Sequence, residues 1–105
     1  MVTLIYSPFP NFKSAKVVAR QLITARVAAC ANIIKSRSIY EWKGTLQDTI
    51  EFILIAKTTP AKRKSAIAII NKSHPYELPA IITWNSSSTP AFEKWVAKNT
   101  KQTKK

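Results

Sequence analysis

A short segment of the sequence, His74–Pro79, brings together three side chains that could do chemistry. It reads His-Pro-Tyr-Glu-Leu-Pro, so the imidazole of His74, the phenol of Tyr76 and the carboxylate of Glu77 lie close together along the chain. Each proline fixes its own φ and moves the preceding residue out of the helical region, which should make the segment rigid. The three side chains could act as a metal ligand, a hydrogen-bond donor and a counter-charge. They could equally cap and end a helix.

Two residues outside this segment, Cys30 and Lys57, could also bind a ligand. A metal site usually has three or four ligands of suitable softness, and Cys30 with His74 would supply only a thiol and an imidazole. Cys30 lies in an apolar run, where a free cysteine most often packs as a small hydrophobic residue. Lys57 ends an apolar strand and could bind an anion, or mark where the strand meets water. A symmetric oligomer could gather further ligands around His74.

The sequence offers little for catalysis. Its only glycine is Gly44, which excludes the glycine-rich loops that bind phosphates or dinucleotides. It has a single histidine, no carboxylate pair, and no motif that places a nucleophile beside a base. We therefore do not expect an enzyme.

Length and composition predict one small domain. The chain has 105 residues, and we expect the domain to span 1–99, followed by a basic, disordered tail at 100–105. No run of about 18 apolar residues is present, so no membrane span is expected. The single cysteine fits the reducing cytoplasm.

The net charge of +12 would attract polyanions, which makes nucleic-acid binding a rival function class. The run Lys62-Arg63-Lys64 favours it. However, three successive residues fan around a helix, no aromatic residue for base stacking lies between them, and the sequence has no recognised nucleic-acid-binding signature. We therefore do not expect nucleic acid as the main partner.

Apolar periodicity and turn residues predict the order of the elements. We expect a strand at 2–6 with a proline-framed loop at 7–10, a long strand at 27–42, a hairpin turn at 42–45, a returning strand at 51–58 and a last core strand at 80–84. Helices are expected after an N-cap at Asn11, at 60–71 and after Thr89-Pro90. Their predicted apolar stripes are Ala15, Val18, Ala19 and Leu22 in the first, Ala66, Ile67 and Ile70 in the second, and Phe92, Trp95 and Val96 in the third. The fold class is therefore α+β, a ferredoxin-like βαββαβ sandwich with an added C-terminal helix. The long second strand would carry Tyr40 and Trp42 on one face, and a bare edge of this kind indicates pairing with copies of the same chain. These two aromatic residues are expected at an oligomer interface, or less readily as stacking partners for a ligand.

Four segments in order resemble the CutA divalent-cation tolerance family. They are Val27-Ala28-Ala29-Cys30-Ala31-Asn32-Ile33-Ile34, Ser38-Ile39-Tyr40-Glu41-Trp42-Lys43-Gly44, Lys57-Thr58-Thr59 and His74-Pro75-Tyr76-Glu77-Leu78-Pro79. The resemblance covers Val2 to about Asn99. It implies a homotrimer in which the long second strands pair around the threefold axis, an architecture similar to the PII-type trimeric signalling proteins. It also implies a role in divalent-cation tolerance and an association with copper. A ligand pocket is implied between subunits, lined by Lys57, Tyr76 and Glu77.

The sequence departs from the family pattern at three positions. Ile5 stands where some members have a cysteine, Ser73 where some have a second histidine, and Ala80 where many have an acid. Of that ligand set only His74 remains. We expect a non-enzymatic, cytoplasmic homotrimer that binds copper or another divalent metal weakly where subunits meet. The alternative is a PII-like trimeric small-molecule sensor or signalling protein.

Overall fold

The structure, a computed structural model, describes residues 1–101 and contains four strands and three α-helices within them. The elements are β1 (Val2–Phe9), α1 (Phe12–Thr24), β2 (Cys30–Trp42), β3 (Thr45–Thr58), a 3-10 turn (Pro60–Lys62), α2 (Arg63–Ser73), β4 (Ile82–Ser86) and α3 (Pro90–Asn99). The strands form one antiparallel sheet in the order β2-β3-β1-β4. The predicted α+β class and order of elements are confirmed. No helix in residues 1–101 is long and apolar enough to cross a membrane.

The main core lies between the sheet and the two helices α1 and α2. Along α1 the predicted apolar stripe is buried, with Leu22 and Ala15 fully inaccessible. The Asn11 side chain caps α1 by accepting a hydrogen bond from the Ser14 N–H at 2.8 Å, as predicted. On α2, Ala66 and Ile70 are buried, whereas the third predicted core residue, Ile67, is only partly buried. The helices therefore anchor the sheet through short apolar stripes.

Three predicted strand boundaries are corrected by the structure. β2 begins at Cys30 rather than at residue 27, because Val27 and Ala28 still donate their N–H groups to the Leu22 carbonyl. β3 begins at Thr45, directly after the turn, since its polar first half pairs along the full length of β2. β1 continues through Pro8 and Phe9, which were predicted to form a loop.

The β2–β3 hairpin turns at Lys43-Gly44, as predicted. Lys43 has a φ of 50° and Gly44 a φ of 78°, so both central residues adopt the left-handed conformation that tight hairpin turns require. The hairpin brings Trp42 opposite Thr45 and makes β2 an edge strand along its whole length.

β4 was predicted as a core strand, and the structure corrects this prediction too. It runs from Ile82 to Ser86, forms the other edge of the sheet and pairs only with β1. Ile82 is 52% exposed and Trp84 is 44% exposed. Periodicity identified the strand but could not place it at an edge, because an interior strand would have the same pattern of apolar residues.

The C-terminal helix α3 contacts β3 and buries Val96 outside the main core. Phe92 and Trp95, predicted to pack with Val96, are instead exposed and stacked on each other with ring centroids 5.7 Å apart. Thr100, placed by the sequence in the disordered tail, is buried and donates its hydroxyl to the Val96 carbonyl at 3.0 Å. Residues 102–105 of that predicted tail lie outside the described residues.

Candidate binding site

His74 lies beside β1, just beyond the first residue of β4, and its imidazole bonds a β1 carbonyl that β4 does not reach. Its Nε2–H donates to the Pro8 carbonyl at 2.8 Å, and its Nδ1 accepts from the Tyr76 N–H at 3.1 Å. The ring stacks on Phe9 with centroids 4.1 Å apart and an interplanar angle of 21°. His74 is thus a buried residue with both nitrogens engaged by backbone groups, in the tautomer protonated on Nε2.

This arrangement explains how a proline fits into the central strand β1. The N and C=O of a strand residue point to the same side, and the Pro8 carbonyl points towards His74 rather than β3. The missing N–H of Pro8 therefore costs the β1–β3 ladder nothing. Because β4 pairs with β1 only as far as Tyr6, the free side beyond Tyr6 is available to the imidazole.

The surroundings of His74 keep its imidazole neutral. Burial lowers its pKa below 6.5, against the opposing effects of the hydrogen bond to Pro8 and the negative charge of Glu51. Protonation would place a donor on Nδ1, which faces the Tyr76 N–H, so the bond between them would be lost. A neutral imidazole is the form that holds the segment 74–79 in place.

Glu51 and Tyr76 form a hydrogen-bonded pair next to His74. The Tyr76 hydroxyl donates to Glu51 Oε2, and Glu51 is only 5% exposed. Burial, together with the bond to Glu51 and its charge, raises the pKa of Tyr76 well above its ordinary value of 10.0. Sequence reasoning missed Glu51, although a single acid at the start of the apolar run 52–56 was a signal that could have found it.

A cavity of about 540 Å³ opens beside this pair, on the sheet face opposite α1 and α2. Its walls include Tyr40, Trp42, Glu51, Tyr76, Glu77 and Leu78. Lys43 closes the rim, since its ammonium lies 3.4 Å from Glu77 Oε2 and 5.6 Å from the centre of the Trp42 ring. The cavity therefore combines aromatic surface with two carboxylates, and volumes of this size are typical of small-molecule sites.

Lys57 and Cys30 lie at the other end of the sheet. They are directly opposite each other on β3 and β2, and Lys57 donates to Asn32 Oδ1. Lys57 lies six positions after Glu51 on β3, a distance of about 20 Å at ~3.3 Å per residue. One subunit therefore does not bring Lys57 to Tyr76 and Glu77, nor Cys30 to His74.

The groups of one chain do not form a complete metal site. Within residues 1–101 no three His, Cys, Asp or Glu side chains are grouped so that they could hold an ion. The imidazole nitrogens of His74 already have partners, and Glu51 accepts from Tyr76. A cation in the cavity would need ligands from water or from a neighbouring subunit.

These features define a small α+β protein with a polar and aromatic cavity that lies next to an unpaired sheet edge. The profile of the family described as CutA1 divalent ion tolerance protein matches residues 3–99. The chain belongs to the CutA1 divalent-ion tolerance family.

Individual relatives agree with this assignment. The divalent-cation tolerance protein CutA of Thermotoga maritima is 44% identical over 80 residues, which cover 76% of this chain and 79% of that protein. The CutA homolog of Xenopus laevis is 38% identical over 93 residues, 87% of this chain, and the match spans only 62% of the Xenopus protein. The crystal structure of CutA1 from Ehrlichia chaffeensis superposes with a TM-score of 0.91 at 31% identity and covers 96% of both chains.

Proposed function

We propose that this chain is a non-enzymatic divalent-cation tolerance protein that works as a homotrimer and binds a divalent cation such as copper weakly where its subunits meet. The observation that carries the proposal is the position of the cavity. It holds the carboxylates of Glu51 and Glu77 and opens beside the last residues of the unpaired strand β2. A neighbour that pairs along β2 would close the cavity and could complete the coordination of an ion.

Exposed apolar residues on both edge strands support assembly. On β2, Ile34 is 49% exposed, and Tyr40 and Trp42 are about as accessible. On β4, Ile82 and Trp84 are exposed to a similar extent. A row of unpaired backbone groups flanked by large apolar side chains favours strand pairing between chains over exposure to water.

The two carboxylates support a cation rather than an anion in the cavity. Carboxylate oxygens suit hard divalent ions, and the charge of Glu77 is offset only by Lys43 at the rim. In this proposal His74 positions Tyr76 and the segment 74–79. Direct coordination by His74 and Cys30 is the alternative ligand set; it would require residues of different subunits and the loss of one hydrogen bond of His74.

Solution mass and calorimetry test the proposal together. The expected mass is about 35 kDa, three times that of the 11.8 kDa chain. Titration with copper and with zinc should give weak binding that Glu77→Gln reduces several-fold and Glu41→Gln leaves unchanged, because Glu41 is exposed and outside the cavity. A monomer at micromolar concentration, or equal isotherms for all three proteins, would overturn it.

Two further variants separate the ligand sets. If His74 and Cys30 bind the metal directly, His74→Ala and Cys30→Ser should each abolish the copper heat while Glu77→Gln leaves it intact. If the carboxylates bind it, Cys30→Ser should have no effect, since Cys30 lies at the other end of the sheet from Glu51.

A second candidate, a PII-like sensor of a small molecule, is favoured by the aromatic walls of the same cavity. Tyr40 and Trp42 line it and could stack on a flat ligand. A metabolite that raises the melting temperature, with no effect of copper or zinc, would select this function instead. With either function we propose a cytoplasmic protein, in keeping with its single, unpaired cysteine.

A further inference from the structure

The charged side chains in the layer formed by α1, the 3-10 turn and α2 are all positive. It carries seven Lys and Arg residues and no Asp or Glu. These are Lys13, Lys16 and Arg20 on α1, Lys62 in the turn, and Arg63, Lys64 and Lys72 on α2.

All five acidic residues lie on other parts of the fold. They are Glu41, Asp48 and Glu51 on the β2–β3 hairpin, Glu77 in the segment 74–79, and Glu93 on α3. Three ion pairs occur within residues 1–101: Met1 with Glu93, Arg37 with Asp48, and Lys43 with Glu77. None of these three involves a cation of the helical layer, so no ion pair among the described residues neutralises its charge.

The cations of α1 point away from the sheet. The buried stripe Ala15–Leu22 faces the core, and at 100° per residue Lys13 and Arg20 lie on the opposite side of the helix. Both are exposed, as are Lys16 on α1 and Lys64 and Lys72 on α2. Five flexible cations are thus available to a partner.

A groove of about 530 Å³ runs between the two helices within this layer. Arg20 and Lys72 line it together with Gln21, Thr24 and Ser73. Ser73 donates to the Gln21 side chain at 3.0 Å, which links the two walls of the groove. Protein contacts to the phosphates and sugars of nucleic acids use neutral hydrogen-bonding side chains as well as cations.

From this charge distribution we infer that the helical face of α1 and α2 binds the phosphate backbone of double-stranded nucleic acid without reading its sequence. The 13-residue helix α1 is about 20 Å long, which corresponds to roughly six base pairs of a duplex. The function is separate from the cavity, because the helical layer and the cavity lie on opposite faces of the sheet.

The side chains on this face favour a duplex over a single strand or a lipid surface. Single strands are held by several aromatic residues on which successive bases stack, and the layer has one aromatic residue, Phe12, which is half-exposed and packs edge-on against Phe52 with ring centroids 6.0 Å apart. An interfacial membrane helix presents a continuous apolar face to the lipid, whereas cations separate the exposed apolar residues of α1, which are Phe12, Val17 and Ile23.

The experiment measures binding of the full chain to a fluorescent 24-base-pair DNA duplex by anisotropy, from 50 to 200 mM salt. The test variant combines R20Q, K64Q and K72Q. The control combines K94Q, K98Q and K101Q, which removes the same charge from exposed lysines on and just after α3, outside the helical layer. The slope of log K against log salt should become shallower by about 2–3 in the test variant and stay within about 1 of the wild type in the control.

Several results would overturn the inference. One is an absence of binding at 50 mM salt. Another is an equal loss of affinity in both triple variants, which would mean that only net charge matters. A third is binding to vesicles of phosphatidylcholine with 20% phosphatidylserine and not to the duplex, which would assign the face to a lipid surface. Circular dichroism spectra that match the wild type would show that both variants are folded.

Discussion

His74→Ala should destabilise the fold, whatever His74 does for a ligand. The substitution removes the hydrogen bond to the Pro8 carbonyl and the bond from the Tyr76 N–H, and it ends the stacking on Phe9. Each hydrogen bond contributes about 0.5–1.5 kcal/mol, and a stacked aromatic pair adds about 0.5–1.5 kcal/mol. Because His74 is 9% exposed, little water can replace these contacts. The expected loss in free energy of unfolding is about 2–4 kcal/mol.

Urea unfolding followed by circular dichroism measures this loss. All proteins are compared at one concentration, because association of subunits would contribute to the apparent stability. His74→Gln is the matched control, since its amide keeps one donor and one acceptor and should recover part of the loss. A loss below about 1 kcal/mol for His74→Ala would refute the idea that the imidazole stabilises β1 beyond the point where β4 pairs with it.

Three other substitutions and a change of pH test the remaining parts of the structure. Because burial lowers the pKa of His74 below 6.5, the unfolded chain takes up this proton first, so stability should fall as pH drops from 7.5 to 5.5. The fall should be smaller in His74→Gln, and equal pH profiles would contradict the assignment of a neutral imidazole. Tyr76→Phe leaves the buried Glu51 carboxylate without its donor and should cost about 1.5–3 kcal/mol; a double-mutant cycle with Glu51→Gln should give a coupling of at least about 1 kcal/mol, and additive effects would argue against the bond. Gly44→Ala meets no atom within 4 Å, so its expected cost of about 1 kcal/mol comes from the φ of 78° alone, and an unchanged midpoint of unfolding would contradict this. Leu22→Ala should cost about 2–5 kcal/mol because Leu22 is fully buried, and a loss below 1 kcal/mol would place Leu22 outside the core.

Part of the candidate site could be read from the sequence. The segment 74–79 was identified, and its expected rigidity fits the way His74 and Tyr76 are held. The two interpretations of His74, as ligand or as cap, differ in what its nitrogens contact. Only the structure distinguishes the two interpretations, because the nitrogens contact the backbone of Pro8 and Tyr76 and side-chain patterns do not reveal backbone contacts.

The rest of the site depends on strand register. Lys57 and Glu51 are both on β3 and both face away from α1 and α2, yet they lie six positions apart. Lys57 was expected near Tyr76 in a pocket between subunits, whereas within one chain the register of β3 against β1 brings Glu51 to Tyr76. Within one chain the cavity therefore carries the carboxylates of Glu51 and Glu77, and the presence of a neighbouring subunit's Lys57 beside them stays a prediction.

The sequence by itself determined the order of the elements, the buried stripe of α1, the hairpin turn and the family. These features depend on residues a few positions apart, so periodicity and turn chemistry are enough to predict them. Only the tertiary structure decided that Glu51 meets Tyr76, that β4 lies at an edge, and that the cations of α1 and α2 share a surface without acids. The physical reason is that these contacts join residues far apart in the chain, and their distances follow from strand pairing and helix packing.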